Sequence, residues 1–372
     1  MLYDQSIIYK SFFEKIEDHR RHNKLHKLID VIIIAICGVV SGADTYEQIE
    51  NFGKKRKQWL SKFLELPHGI PSHDTIGRIF EKMNPMEFQN SFKLWIESIT
   101  ERTNGQVIAI DGKTLRRSHD QAKEKKAIHM VSAWAASNQV VLGQLKTDEK
   151  SNEIKAIPYL LKLLDISGCI VTIDAMGTQK KIAKTIVQQK GDYVLALKEN
   201  QKTLYENTVL FFNDMENMQD NHLGTYETID GDHGRLETRK YTMTSDISWL
   251  QNKEGWAGIN SVGMVESTRE LNGNISNEKR YYISSLECDA KRFGNAIRSH
   301  WGIENSVHWV LDIAFREDES RIRKGSAPEN IAAIRHVALN LLKNDKTFKG
   351  SIKTKRLNAA MDIKYLEQVI FR

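Results

Sequence analysis

The chain has 372 residues, long for one compact domain, so two or three structural units are expected. Its 54 Lys and Arg against 48 Asp and Glu leave a formal charge of +6, which permits a nucleic-acid partner without demanding one. Three dispersed cysteines (Cys37, Cys169, Cys288) with no CxxC spacing argue against a disulfide framework or a cysteine zinc site, and for a reducing cytoplasm. The opening MLYDQSIIYKSFFEKIEDHR lacks a signal-peptide pattern. The longest apolar run, Val31–Val40, is about half of the roughly 20 residues a membrane helix needs, so no membrane partner is expected.

Residues 1 to about 103 are expected to be helical. Apolar residues recur at helical spacing in Ile7–Ile16, Leu25–Val40, Tyr46–Phe52, Trp59–Leu66, Thr75–Met83 and Phe88–Ile99. Ser41-Gly42, the Pro67–Pro71 break and Asn84-Pro85 separate these runs, and Ser72 is the predicted N-cap of HDTIGRIFEKM.

From Gln106 the pattern changes. Gln106–Ile110 is a buried-strand run ending at Asp111-Gly112, and His129–Ala136 and Val140–Lys146 form a predicted hairpin around Ser137-Asn138-Gln139. A helix at Ile154–Leu164, a strand at Cys169–Ile173 again closed by aspartate, a helix at Gln179–Gln189 and a strand at Tyr193–Leu197 follow. This order predicts a mixed sheet with helices on its faces. Right-handed crossovers set the Cys169–Ile173 strand beside the Gln106–Ile110 strand, with Asp111 and Asp174 adjacent at one sheet edge.

After a helix at Thr203–Phe212, the chain carries β-like runs at Thr225–Ile229, Leu236–Met243, Ile259–Glu266 and Arg280–Ser284, with turns at Gly231, Gly234 and Asn272–Asn274. Residues 203 to about 286 therefore read as a β-rich insertion. Helical periodicity returns at Lys291 and persists to about Leu342, and the tail reads as short and weakly helical. The expected units are a helical region at 1–103, an α/β region at 104–346 that contains the insertion, and a tail at 347–372.

Three segments could carry chemistry. Asp111 opens DGKTLRRS, where a strand-end carboxylate precedes Lys113, Arg116 and Arg117. A metal-binding carboxylate beside cations for phosphate suits phosphoryl transfer; the plainer reading is a turn with a solvated basic face. Asp174 in TIDAMGTQK repeats the strand-end position. In RSHWGIENSVHWVLD, His300, Glu304, His308 and Asp312 recur every four residues and share one helix face. Such a polar stripe needs partners, which a metal, a substrate or a capped polar seam between units would supply. A zinc site on His300, Glu304 and His308 lacks the HExxH spacing, since its histidines are eight apart. Asp111, Asp174 and Glu304 converging on one point would repel one another unless divalent cations sat between them, which suggests two-metal phosphodiester chemistry.

These segments also carry a resemblance. DHRRHNKLHKLIDVIIIAICGVVSGADTYEQIENFG, GIPSHDTIGRIF, AIDGKTLRRS, TIDAMGTQKKIA, GDYVLALKENQ, DGDHGRLETR and RSHWGIENSVHWVLDIAFREDESR stand in the order found in DDE-type insertion-sequence transposases. More narrowly, the chain resembles the H-repeat-associated proteins. The resemblance implies an RNase H-like catalytic core with Asp111 and Asp174 as its aspartates and Glu304 as its glutamate. It implies an N-terminal region that binds the element's ends, double-stranded DNA as partner and target, and a homodimer in the synaptic complex. Two Mg2+ per site are implied, with Mn2+ able to substitute. Relatives with a β-insertion carry Tyr, Arg and Lys around the glutamate; those positions fall here on Ile297, His300 and Leu311, so only Glu304 is kept.

Further cations are candidates for DNA. Tyr46–Phe52, Trp59–Leu66 and the Ser72-capped helix resemble a helix-turn-helix, with His73, Thr75 and Arg78 on its exposed face. The cluster Lys54, Lys55, Arg56 and Lys57 is placed to grip phosphates; the alternative is a helical bundle with a solvated basic corner. Lys113, Arg116, Lys198, Arg235, Arg298 and His300 complete the expected DNA contacts. The function expected is transposition. The rivals are a nuclease that cuts without joining, a non-catalytic DNA-binding remnant, and a zinc hydrolase on the His300 face.

Overall fold

The computed structural model describes residues 11–20, 24–99, 105–119, 126–147, 153–218, 223–232, 235–271 and 273–371. Ile7–Lys10 of the first expected helix, and the expected turn positions Gly234 and Asn272, lie outside these.

The N-terminal part is helical: α1 (Leu28–Val40), α2 (Tyr46–Lys55), the short α3 (Lys57–Leu60), α4 (His73–Lys82) and α5 (Pro85–Ile99). The apolar run makes α1 a core helix with residues 29–40 all buried. Buried Asp30 accepts the Leu66 N–H at 3.1 Å, which ties the long break before α4 to α1. Thr45 and Gln48 close a capping box on α2, and the Ser72 hydroxyl caps α4 by accepting from the Thr75 N–H.

A nine-stranded sheet follows, in the order β3-β2-β1-β4-β5-β9-β8-β7-β6. Strands β1 (Val107–Thr114), β2 (His129–Ala135) and β3 (Val140–Thr147) form an antiparallel meander. Helix α6 (Glu153–Leu163) leads to β4 (Ile170–Ile173), and α7 (Lys180–Gln188) leads to β5 (Asp192–Leu197). β4 pairs parallel to β1 and β5 parallel to β4, in the expected neighbouring order. After α8 (Lys202–Met218) come β6 (Gly224–Asp232), β7 (Arg235–Thr244), β8 (Ser261–Leu271) and β9 (Asn274–Ser284). The β-rich stretch is continuous with the sheet formed by β1 to β5. β9 pairs antiparallel with β5, from Val194–Ser284 to Leu197–Tyr281.

Several local expectations change: the helix expected at Trp59–Leu66 stops at Leu60, and Gly231, expected in a turn, lies within β6 opposite Leu236. The first strand runs four residues past Ile110, because β2 goes on pairing with it from Asp111–Ser132 to Thr114–His129. The late helical stretch is divided into α9 (Ala290–Ile303), a π-helical segment (Glu304–His308), α10 (Trp309–Phe315) and α11 (Ala327–Asn344). Arg316, at φ 49°, turns the chain out of α10.

The tail is firmer than its composition suggests. Helices α12 (Ile352–Met361) and α13 (Ile363–Ile370) pack into the same core as α1, α4 and α11, through Ala359, Leu366, Val369 and Ile370. Buried Arg356 donates to the carbonyls of Val39, Ala43 and Ala314 and to the Asp44 carboxylate, which joins α12 to α1 and α10.

Helix α9 lies across the sheet. Gly263 and Gly302 permit the close approach: a Cβ on Gly263 would sit 2.4 Å from the Phe293 ring, and one on Gly302 would sit 2.4 Å from the Trp134 ring. This contact delivers Glu304, two residues beyond Gly302, to the edge of β1.

Candidate active site

The parallel ladder between β1 and β4 ends at Ile110–Ile173, so Asp111 and Asp174 are each the first residue beyond it. That is where ligands gather in α/β sheets. Asp111 accepts the N–H of Gly112 at 2.8 Å. Asp174 caps a 3-10 turn, accepting the Gly177 N–H at 3.2 Å. Glu304 opens the π segment. All three line one hollow of about 290 Å³, together with Thr172, Lys198, Arg280, Tyr282, His300 and Trp301.

The hollow concentrates negative charge that a cation could relieve. Burial first, and then the charges of Asp174, Glu304 and Glu153, push the Asp111 carboxyl up to about 7, against the Gly112 N–H. Glu153 is paired with His129 in a buried contact behind β1, and His129 is held by the Thr114 hydroxyl at 2.8 Å. Burial lowers His300 to about 4, against the pull of the Asp174 charge; its Nδ1 lies 3.0 Å from the Thr172 hydroxyl. The ligand atoms of Asp111, Glu304 and His308 lie within 4.8 Å of one another; neither Asp174 nor His300 belongs to that group. The second such group among the described residues, Glu17, His19 and Glu87, is knit by its own hydrogen bonds.

His308 is buried beneath Asp111, with Nδ1 3.4 Å from Oδ2. Burial, and then the charge of Lys113, pushes it down to about 3. The Lys113 ammonium donates to Asp312 at 2.5 Å and to Glu317 at 2.9 Å. Glu317 in turn faces Arg335 at 3.7 Å, an ion pair without hydrogen-bond contact. Lys113 is thus part of an interior network beneath the hollow, while Arg116 reaches Asp318 at 3.1 Å on the surface.

The remaining candidates fall into two other places. Arg235 and Arg298 line a groove of about 820 Å³ on the outer strands, with Arg239, Arg269 and Arg280. Arg235 pairs with Glu237, and Arg298 with Asp230 at 3.0 Å. Arg280, Tyr282, Ile297 and Trp301 line both this groove and the hollow, so the two are continuous. Arg280 stacks 4.6 Å from the Trp301 ring, which is 44% exposed. Nothing local in the sequence marks Arg280, because it reaches the hollow only through the pairing of β9 with β5.

His73 and Arg78 line a third groove with Arg316, Arg321, Arg323 and Lys324. His73 is bonded to Glu50 at 2.7 Å, and the Thr75 hydroxyl accepts from Arg78 at 3.3 Å. Lys54 pairs with Glu50 at 2.6 Å, Arg56 donates to the Ala360 carbonyl at 2.7 Å, and Lys55 and Lys57 are exposed. None of the four in the Lys54–Lys57 cluster lines the hollow.

Comparison with known proteins adds a separate line. Residues 102–341 match a family model described as "Transposase DDE domain", and residues 10–96 match one described as "DDE_Tnp_1-associated". "Putative transposase YncI" of Escherichia coli O157:H7 is 44% identical over 365 residues, covering 96% of this chain and 93% of that protein. "H repeat-associated putative transposase YhhI" of Escherichia coli K12 is 41% identical over 362 residues, 95% of each chain. Among solved structures, a piggyBac transposase synaptic complex with hairpin DNA aligns over 98% of this chain and 80% of that one. At 12% identity and a TM-score of 0.41, that likeness is too loose to establish the fold. No helix among the described residues is long and apolar enough to cross a membrane.

Proposed function

The chain belongs to the Transposase DDE domain family, and from that membership we propose that it is an active transposase on an RNase H-like core. It binds double-stranded DNA at the terminal inverted repeats of an insertion sequence, hydrolyses the 3′ strand at each end and joins the freed 3′-OH to target DNA. The observation that carries this reading is the meeting of Asp111, Asp174 and Glu304 in one hollow, with Asp111 driven toward neutrality by burial and by its neighbours' charge. Three carboxylates so placed are a donor set that a divalent cation relieves.

Asp111, Asp174 and Glu304 would hold two Mg2+, with Mn2+ able to substitute. Such cations supply positive charge that acidifies the attacking hydroxyl and steadies the departing oxygen. The chain's own part is to aim and to neutralise. The Gly112 and Gly177 amides fix the two aspartates. Lys198, at the end of β5, meets the scissile phosphate, and His300, anchored on Thr172, stands beside it. In cleavage, the oxygen of water bonds to phosphorus as the P–O3′ bond breaks, leaving a 3′-OH on the element. In joining, that 3′ oxygen bonds to a target phosphorus and a target P–O3′ bond breaks. Both are in-line displacements with no covalent enzyme intermediate.

The outer arginine groove and the helical region with Lys54–Lys57, His73, Thr75 and Arg78 grip the flanking duplex, and two copies hold two ends. Asp174→Ala should keep end-binding and lose Mg2+-dependent cleavage; undiminished cleavage would sink the assignment. A strand-transfer assay with pre-cleaved ends separates a transposase from a nuclease that never joins.

A further inference from the structure

We propose that His308 is a direct nitrogen ligand in this centre, joining Asp111 and Glu304 around one cation and tilting that site toward Mn2+ over Mg2+. The inference rests on the reading of the hollow as a metal centre, and it adds a residue which that reading does not need.

Three observations meet at His308. The first is placement: its ring nitrogen falls within 4.8 Å of ligand oxygens of both Asp111 and Glu304, whereas His300 and Asp174 fall outside that group. The second is the contact with Asp111. At 3.4 Å, Nδ1 and Oδ2 are too far apart for a charge-assisted hydrogen bond, which closes to about 2.7–2.9 Å. Two ligands on neighbouring positions around one small cation, each about 2.1 Å from it, lie about 3 Å apart. The third is isolation. His308 is 7% exposed, and its Nε2 is buried without a hydrogen-bond partner. The nitrogen that faces Asp111 is Nδ1, and a cation there would give this buried ring the close partner that the 3.4 Å contact does not.

The backbone supplies the means. In an α-helix each step of four residues drifts about 40° around the axis. The π segment spans Glu304–His308, and its wider turn reverses the sense of that drift. Glu304 and His308 both offer a ligand atom toward Asp111, Glu304 from an exposed position and His308 from a buried one. π segments of this kind gather at functional sites. The ligand type then sets the metal. Mg2+ keeps to oxygen, while imidazole suits the later divalent ions and is accepted by Mn2+.

The test uses the full-length chain loaded with Mn2+ and pulsed electron paramagnetic resonance. Wild type should show the modulation of a directly bound imidazole 14N, and 15N-histidine labelling should replace that pattern. The signal should vanish in His308→Gln and persist in His300→Gln. Mn2+ affinity should fall roughly 10- to 100-fold in His308→Gln, the range reached even by outer-shell partners, with a smaller loss for Mg2+ in competition. Mn2+ bound at Asp111 with no nitrogen modulation would overturn the His308 assignment and leave the carboxylate centre standing. Failure of wild type and Asp111→Asn to differ in Mn2+ binding would overturn the metal-centre reading itself. If His308→Gln does not fold, the labelled wild type and His300→Gln still decide: a signal absent from the first, or lost in the second, refutes His308.

Discussion

Lys113 tests how the basic residues divide between DNA and the interior. Its type and position beside Asp111 suit a phosphate contact, yet its ammonium is engaged with Asp312 and Glu317. Glu317 is 2% exposed on its side chain, and so is Arg335, its other cation, at 3.7 Å. Lys113→Met would leave Glu317 buried with that longer contact alone. Removing one partner of a buried pair costs about 3–5 kcal/mol. Asp312 is a third exposed and adds little to this. At about 2 °C per kcal/mol for a chain of this length, melting should fall by roughly 6–10 °C. Adding Glu317→Gln should recover only part of the loss, because it removes the orphaned carboxylate but leaves buried Arg335 without its anion. Thermal melting of the single and double variants reads this directly. The reasoning fails if Lys113→Met melts within about 1 °C of wild type while the slope of log affinity against log salt falls by about one, the mark of a lost phosphate contact.

Two further predictions concern the hollow. Asp111 is raised to about 7, so the folded protein keeps a proton that the unfolded chain releases above about pH 4. In chelator, its contribution to stability is full below about pH 4 and is lost as pH rises through about 7. The stability difference between wild type and Asp111→Asn, read by urea melts, should therefore shift against wild type across that window; a constant difference would contradict the raised carboxyl. Gly302→Ala would press a Cβ to 2.4 Å and 2.5 Å from two Trp134 ring carbons, and Trp134 is itself buried. We expect a cost of about 1–3 kcal/mol and weaker Mn2+ binding, because α9 must lift and carry Glu304 with it. Unchanged melting and unchanged Mn2+ affinity would mean that the close approach does not position Glu304.

The parts of the fold legible in the sequence are those fixed by local pattern and handedness. Short apolar runs closed by aspartate read as buried strands, and one crossover rule set β4 beside β1, with Asp111 opposite Asp174. What stayed hidden depended on distant partners. The end of β1 is decided by β2, and the place of the β-rich stretch by the pairing of β9 with β5. The C-terminal helices look weak because their cations count as solvent-facing, yet Lys355 and Arg356 are buried and spend their donors on backbone carbonyls. Lys113 finds its partners 199 and 204 residues away. The late helix carries the same lesson inside the site. The four-residue spacing marked His300, Glu304, His308 and Asp312 as one stripe, but the stripe does not act as a unit. His300 turns to Thr172, Asp312 to Lys113, and Glu304 and His308 to Asp111. Which member faces the aspartate depends on the width of a single turn, and residue spacing does not encode that width. The π segment shifts the phase of the helix between Glu304 and His308, and it is His308, not His300, whose ring nitrogen falls within 4.8 Å of ligand oxygens of both Asp111 and Glu304.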